Sequence, residues 1–191
     1  MPQPTTFSSP HRYTPVAQFF HWSTAILVLV AFIYGPGGSE QHVYAGARDA
    51  ERTLHETLGI SVLLVTTLRL AWRRISRPPP AIDMPRWMYR LSRLTQNLLY
   101  GLLLAIPLSA IAGAWLTGHP VQLLGGLEFR PLLAESHATG SVIATIHTWL
   151  GDTIVWLAGL HAAAAIYHHG VRKDGVLVSM LPRWIASRGA R

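Results

Sequence analysis

Ten histidines are spread along this chain, and four of them, His21, His55, His147 and His161, stand inside long apolar stretches. Burying an unpartnered imidazole in hydrocarbon is costly, so such a residue inside a membrane span reads first as a functional group. Neutral imidazole is a good transition-metal ligand. The chain has no cysteine, which excludes thiolate-held iron–sulfur clusters and covalent c-type haem attachment, and leaves histidine or methionine to hold any redox metal. A lone histidine in a membrane is more often a satisfied structural residue or a proton relay, so the spacing has to carry the case. His147 and His161 are fourteen residues apart. Two heptads drift by only about 40° around an ideal helix, so the two share a face, about 21 Å apart along the axis.

Depth then sorts the four into pairs. His21 lies early in the first apolar stretch and His55 at the start of the second, so they fall near opposite faces of the membrane. His147 can meet His55 at the outer level, and His161 can meet His21 at the inner one. Each pair offers two imidazoles from two helices, which suits two six-coordinate haems in a bundle core. Gly59 and Gly151 follow His55 and His147 by one turn, and residues 162–165, all alanine, follow His161. These leave room for a flat macrocycle, and they equally suit close helix packing.

Arg69 lies fourteen residues after His55, on the same face at the inner level. It offers a cation for haem propionates, or it snorkels to the interface. His168, seven residues beyond His161 with His169 beside it, suits either a plain interfacial role or contact with a quinone. Asp152, unusual in a span, bonds a neighbouring helix or carries protons. His11, His42, His119 and His137 fall in aqueous segments and are expected to be solvated.

The elements that must position these groups are helices. Half of the residues are hydrophobic and 13% are charged, roughly half the charge of soluble proteins. Four stretches, 15–34, 54–72, 94–117 and 142–167, reach the length of about 20 residues that a spanning helix needs. The expectation is an all-α, integral membrane four-helix bundle forming a single membrane domain over residues 1–191, with two haems in its core. The polar segment before Thr14 argues against a cleaved signal. Thr14-Pro15 is a good helix start, and Gly35-Pro36-Gly37-Gly38 cannot continue the first helix. Arg73-Arg74 and prolines 78, 79 and 80 end the second. A short amphipathic stretch from Met84 to Arg93 is expected to lie along the inner surface before the third span. That span carries Gly101, Ala105, Ser109 and Gly113 at four-residue intervals, a small face for a helix or a cofactor, and Pro107 should bend it. A Gly125-Gly126 turn falls in the long connection that follows. Trp22, Trp72, Trp115 and Trp149 read as an interfacial belt.

The net charge of +7 would suggest nucleic acid in a soluble domain, but here it is distributed by topology. Arg73, Arg74, Arg77, Arg86, Arg90 and Arg93 crowd the second connection, and Arg172, Lys173, Arg183, Arg188 and Arg191 the tail. The first and third connections are slightly acidic. The positive-inside rule places both termini in the cytoplasm of a multi-pass protein of the bacterial inner membrane.

Several segments resemble the bacterial cytochrome b561 family, in particular its short members that act as superoxide:ubiquinone oxidoreductases. These are Tyr13 with Phe20-His21-Trp22, the run from Leu54 to Ile60, and Gly159-Leu160-His161 with the four alanines leading to His168-His169. Lys173-Asp174 and Met180-Leu181-Pro182-Arg183 continue the match. The resemblance implies two non-covalent b haems, the inner held by His21 and His161 and the outer by His55 and His147, with a ubiquinone site towards the cytoplasm. It implies an oxidoreductase passing electrons from periplasmic superoxide to ubiquinone, with His168, His169 and Arg69 near the quinone. The alternative is a haem b anchor subunit relaying electrons between a partner dehydrogenase or hydrogenase and the quinone pool.

Overall fold

The computed structural model describes residues 12–76, 79–80, 82–182 and 185. His11, Arg77, Pro78 and the tail arginines at 183, 188 and 191 lie outside them. Four long helices dominate: α1 (Pro15–Ile33), α3 (Asp49–Ile75), α4 (Arg86–Leu116) and α5 (His137–Tyr167), with short α2 (Glu40–Val43) and α6 (Val176–Met180) at opposite ends. All four long helices are apolar enough to cross a membrane. They build an all-α integral membrane four-helix bundle. α1 packs chiefly on α3 and α4 on α5; α3 meets α4 less closely, and α1 barely touches α5. Two tight pairs therefore face one another with room between.

The ends of the helices follow local chemistry. The Thr14 hydroxyl accepts the Ala17 N–H at 3.3 Å with Pro15 in the first turn, and α1 stops before the Gly35-Pro36 step. α3 starts at Asp49, earlier than the apolar run, because Asp49 and Glu51 favour a helix N-terminus. The expected break before the third span does not occur. Residues 86–93 are the first turns of α4 itself, since no glycine or proline interrupts the sequence between Arg86 and Gly101. At 31 residues the helix is about 46 Å long, well beyond a hydrocarbon core of about 30 Å, so its arginine-rich start projects into the headgroups. α5 likewise begins at His137, outside the apolar run.

The long connection forms a small hairpin, β1 (Val121–Gln122) antiparallel to β2 (Glu128–Phe129), turning through Gly125 and Gly126 at φ +90° and +81°. It is bolted to α3: Glu56 accepts the Gln122 N–H, and Thr57 Oγ1 accepts the Leu124 N–H at 2.9 Å. At the opposite end the start of α1 meets α6. Tyr13 N–H and Gln18 Nε2 both donate to the Ser179 carbonyl at 3.1 Å, and Trp22 Nε1 donates to Met180 O at 2.9 Å. These ends are called the loop side and the terminal side below. Between them Val62, Leu103 and Ile154 form a buried cluster. Val62 lies seven residues after His55, and Ile154 midway between His147 and His161, so the cluster divides the bundle into two levels.

Candidate functional site

The four span histidines meet as two ring pairs, one on each side of that cluster. On the loop side the His55 and His147 centroids are 6.1 Å apart with planes at 90°; on the terminal side His21 and His161 are 6.5 Å apart at 68°. All four are half-buried. Two imidazole nitrogens sharing one metal at about 2 Å each, with roughly 1 Å from nitrogen to ring centre, put the centres about 6 Å apart. Both pairs fit a bis-imidazole metal group.

On the loop side the backbone orients both rings. Gly35 and Pro36 end α1, and the Gly35 N–H turns to Phe32 O at 3.2 Å. The Ala31 carbonyl is one of the helix's last four, which lack intrahelical partners, and it accepts the His55 Nδ1–H at 2.8 Å. His147 Nδ1 donates to Ile106 O at 2.9 Å, a carbonyl that also accepts the Ser109 hydroxyl at 2.8 Å. With Nδ1 committed as donor, Nε2 keeps the lone pair that a metal needs. The terminal side differs: Arg69 brings Nη2 to 3.2 Å from His21 Nδ1. Its guanidinium lies over the Tyr100 ring at 5.2 Å, with Arg73 over the same ring at 5.4 Å. Arg69 is thus held within the bundle rather than stretched to the interface.

The glycines separate packing from open space. A Cβ on Gly59 or Gly151 would meet nothing within 4 Å, although both positions are half-buried. Each sits one turn from a loop-side histidine, which leaves a recess there. A Cβ on Gly113 would instead lie 3.4 Å from Ala144 N and 3.6 Å from Gly140 O, so that end of the small face on α4 serves close packing with α5. Thr66 is fully buried with no partner for its hydroxyl oxygen among the described residues.

Beyond His161 the helix widens into a π turn, His168–Arg172, closed by Lys173 at φ 53°. The turn brings His168 Nδ1 to 2.6 Å from Asp174 Oδ2, where Arg172 Nε also donates at 3.3 Å, while Asp174 Oδ1 accepts the Val176 N–H at 3.1 Å. Burial alone would raise the Asp174 carboxyl, but its bonds from His168, Val176 and Arg172 outweigh that and hold it below the usual carboxylate value. His168 is nearly enclosed and His169 exposed, so the adjacent histidines have different settings. Asp174 was visible in the sequence only within a matching segment; its bond to His168 depends on the π turn.

Two aqueous-looking groups are placed otherwise than expected. His119 is only partly solvated: it stacks on Tyr44 at 3.5 Å and 11°, with Glu40 Oε1 3.7 Å from its Nδ1. Burial, opposed by Glu40, holds its imidazole below the usual value. The sequence missed Arg52, whose buried guanidinium bonds Asp49 at 2.9 Å, Gln122 at 3.1 Å and Glu56 at 3.3 Å. His42 and Asp152 are exposed, and His137 is largely so, with its Nδ1 3.7 Å from Glu40 Oε1.

Four apolar spanning helices with two pairs of facing imidazoles in their interior, one pair oriented by backbone carbonyls, define an integral membrane protein with donors suited to a metal group. The chain belongs to the prokaryotic cytochrome b561 family, which it matches over residues 12–183, and it is accordingly a membrane electron-transfer protein of a haem b-binding family. It is 31% identical over 175 residues to cytochrome b561 homolog 2 of Escherichia coli (strain K12), covering 91% of this chain and 93% of that one. Homolog 1 from the same organism is 27% identical over 180 residues, with 91% and 98% covered. The probable superoxide oxidase CybB of Yersinia pestis is 25% identical over 175 residues, with 90% and 97% covered.

Proposed function

We propose that this chain is a di-haem b cytochrome of the bacterial inner membrane that carries electrons from periplasmic superoxide to ubiquinone. The observation that carries the reading is the pair of histidine pairs: two sets of rings at metal-sharing distance, one towards each face. His55 and His147 hold the outer haem, and His21 and His161 the inner one. Haem held by these residues would supply reversible one-electron storage. The protein's own groups do the rest. The recess beside Gly59 and Gly151 takes the outer macrocycle, and Arg69 gives the inner one a cation. On the terminal side the His168–Asp174 pair has Nδ1 fixed to the carboxylate, so His168 Nε2 is the atom that holds a quinone carbonyl and passes it a proton. His169, exposed beside it, lies at the mouth of that site. The arginines at the start of α4 and the end of α3 support a cytoplasmic terminal side.

The overall reaction balances when two superoxide anions each lose one electron and leave as dioxygen, while one quinone takes two electrons and two protons. The relative named a superoxide oxidase favours this donor. Attraction of the anion is modest, because on the loop side Arg48 pairs with Glu51, Arg130 with Glu128 and Arg52 with two carboxylates. Stopped-flow mixing of the purified protein with superoxide and a ubiquinone analogue tests it. Quinone reduction with two superoxide consumed per quinone is expected. Reduction by quinol or a partner dehydrogenase alone sinks superoxide as donor and leaves the anchor-subunit reading.

A further inference from the structure

We propose that Arg69 and the backbone carbonyls make the two histidine pairs electrically unequal, so that the terminal-side haem has the higher reduction potential and electrons fall towards the His168 end. This rests on the two-haem reading above.

An imidazole whose Nδ1–H is bonded to a carbonyl gains anionic character, and the more basic ligand stabilises the oxidised metal. Both loop-side rings are held that way, His55 by Ala31 at 2.8 Å and His147 by Ile106 at 2.9 Å. Neither terminal-side ring has such an acceptor among the described residues. His21 Nδ1 instead accepts from Arg69 Nη2 at 3.2 Å, a bond that a ring carrying its hydrogen on Nδ1 gives up. A guanidinium has five donors and no acceptor, so when His21 gives Nε2 to a metal and keeps its hydrogen on Nδ1, Arg69 offers that hydrogen nothing. What Arg69 contributes is positive charge, half-buried and little screened, and this favours the reduced, less positive metal.

The surrounding charges push the same way. Arg73 adds a second cation over the Tyr100 ring that Arg69 covers. On the loop side the buried cation, Arg52, is offset by Asp49 and Glu56, and Glu56 directly follows His55. One end therefore combines two charge-donating ligands with a balanced ion cluster, and the other combines undonated ligands with two arginines that pair with no acidic side chain among the described residues.

The test is an optical redox titration of the purified protein after its haem content has been measured. Two haems with separate midpoints are expected, and a His55→Ala protein, retaining chiefly the terminal-side haem, should titrate at the higher one. Arg69→Gln should lower that midpoint and leave the other in place, while Arg69→Lys, which keeps the charge, should stay near the parent. Where Arg69→Gln loses its haem, Arg69→Lys decides: midpoints held near the parent support the proposal, and a collapsed gap with both haems present overturns it. Unmoved midpoints in Arg69→Gln also overturn it. A parent with one haem overturns the two-haem reading itself, whereas two haems of equal midpoint overturn this proposal alone.

Discussion

Replacing Gly59 with leucine separates a recess that holds a cofactor from one that is merely slack. The helix itself welcomes the change, because leucine is favoured over glycine in a helix by about 0.8–1 kcal/mol. A Cβ there meets nothing within 4 Å, so no clash at the first carbon opposes it, and burying part of the side chain adds roughly 1 kcal/mol more. With nothing between the helix pairs, the variant should be stabler than the parent by about 1–2 kcal/mol. If the macrocycle lies against that turn, leucine competes with it for the same space. The expected result is a protein that folds and inserts but holds one haem in place of two, with half the parent's Soret absorbance per chain. Haem extraction and thermal unfolding of the same preparation read both quantities. Gly140→Ala is the control, since its Cβ would lie 2.7 Å from Thr117 Cγ2 and 3.1 Å from Leu116 Cβ. Such overpacking costs about 1–3 kcal/mol and should lower the melting temperature without selecting one haem. A stabilised Gly59→Leu protein with two haems and unchanged spectra would refute the reasoning, and with it the place assigned to the outer macrocycle.

Three other outcomes follow from the geometry. Arg52→Met leaves Glu56 buried without its cation, a loss of about 3–5 kcal/mol; thermal unfolding should show the drop, and Arg52→Met/Glu56→Leu should recover part of it. Asp174 is held below its usual value, so the bond to His168 is fully present above the ordinary carboxylate range and is lost as pH falls through the lowered value. Quinone reduction should fall along that acid limb, and Asp174→Asn should remove the limb together with most of the rate, as a pH series will show. Because the chain has no cysteine, single cysteines at Gly126 and Asp83 can be labelled without background; Gly126 should react from the periplasm and Asp83 only from the cytoplasm, and the reverse would invert the topology.

Much of this arrangement was legible because it depends on short-range periodicity. Fourteen-residue spacing alone puts His147 and His161 on one face, and the Thr14-Pro15 and Gly35-Pro36 signals bound α1 where the backbone does. What could not be read depends on partners distant in sequence. The Met84–Arg93 stretch looked separate because its charges differ from the span after it, yet helical hydrogen bonding is indifferent to that change of solvent, and α4 runs straight through. The hairpin at residues 121–129 takes its place from Glu56 and Thr57, more than sixty residues earlier. His119 looked solvated because nothing local announces its stacking on Tyr44. The contacts of Arg69 with Tyr100 and His21 likewise join stretches far apart in the chain.

The clasp between α1 and α6 has a consequence for biogenesis. α1 is made before the other three spans, but the polar groups around His21, on Gln18 and Trp22, find their acceptors among the described residues at Ser179 and Met180. The terminal-side level therefore cannot close until Met180 has left the ribosome. The loop-side level needs nothing beyond α5. Assembly in the membrane should accordingly run from the loop side towards the terminal side, and a nascent chain arrested after α5 would hold a finished loop-side level beside a terminal-side one still open to water.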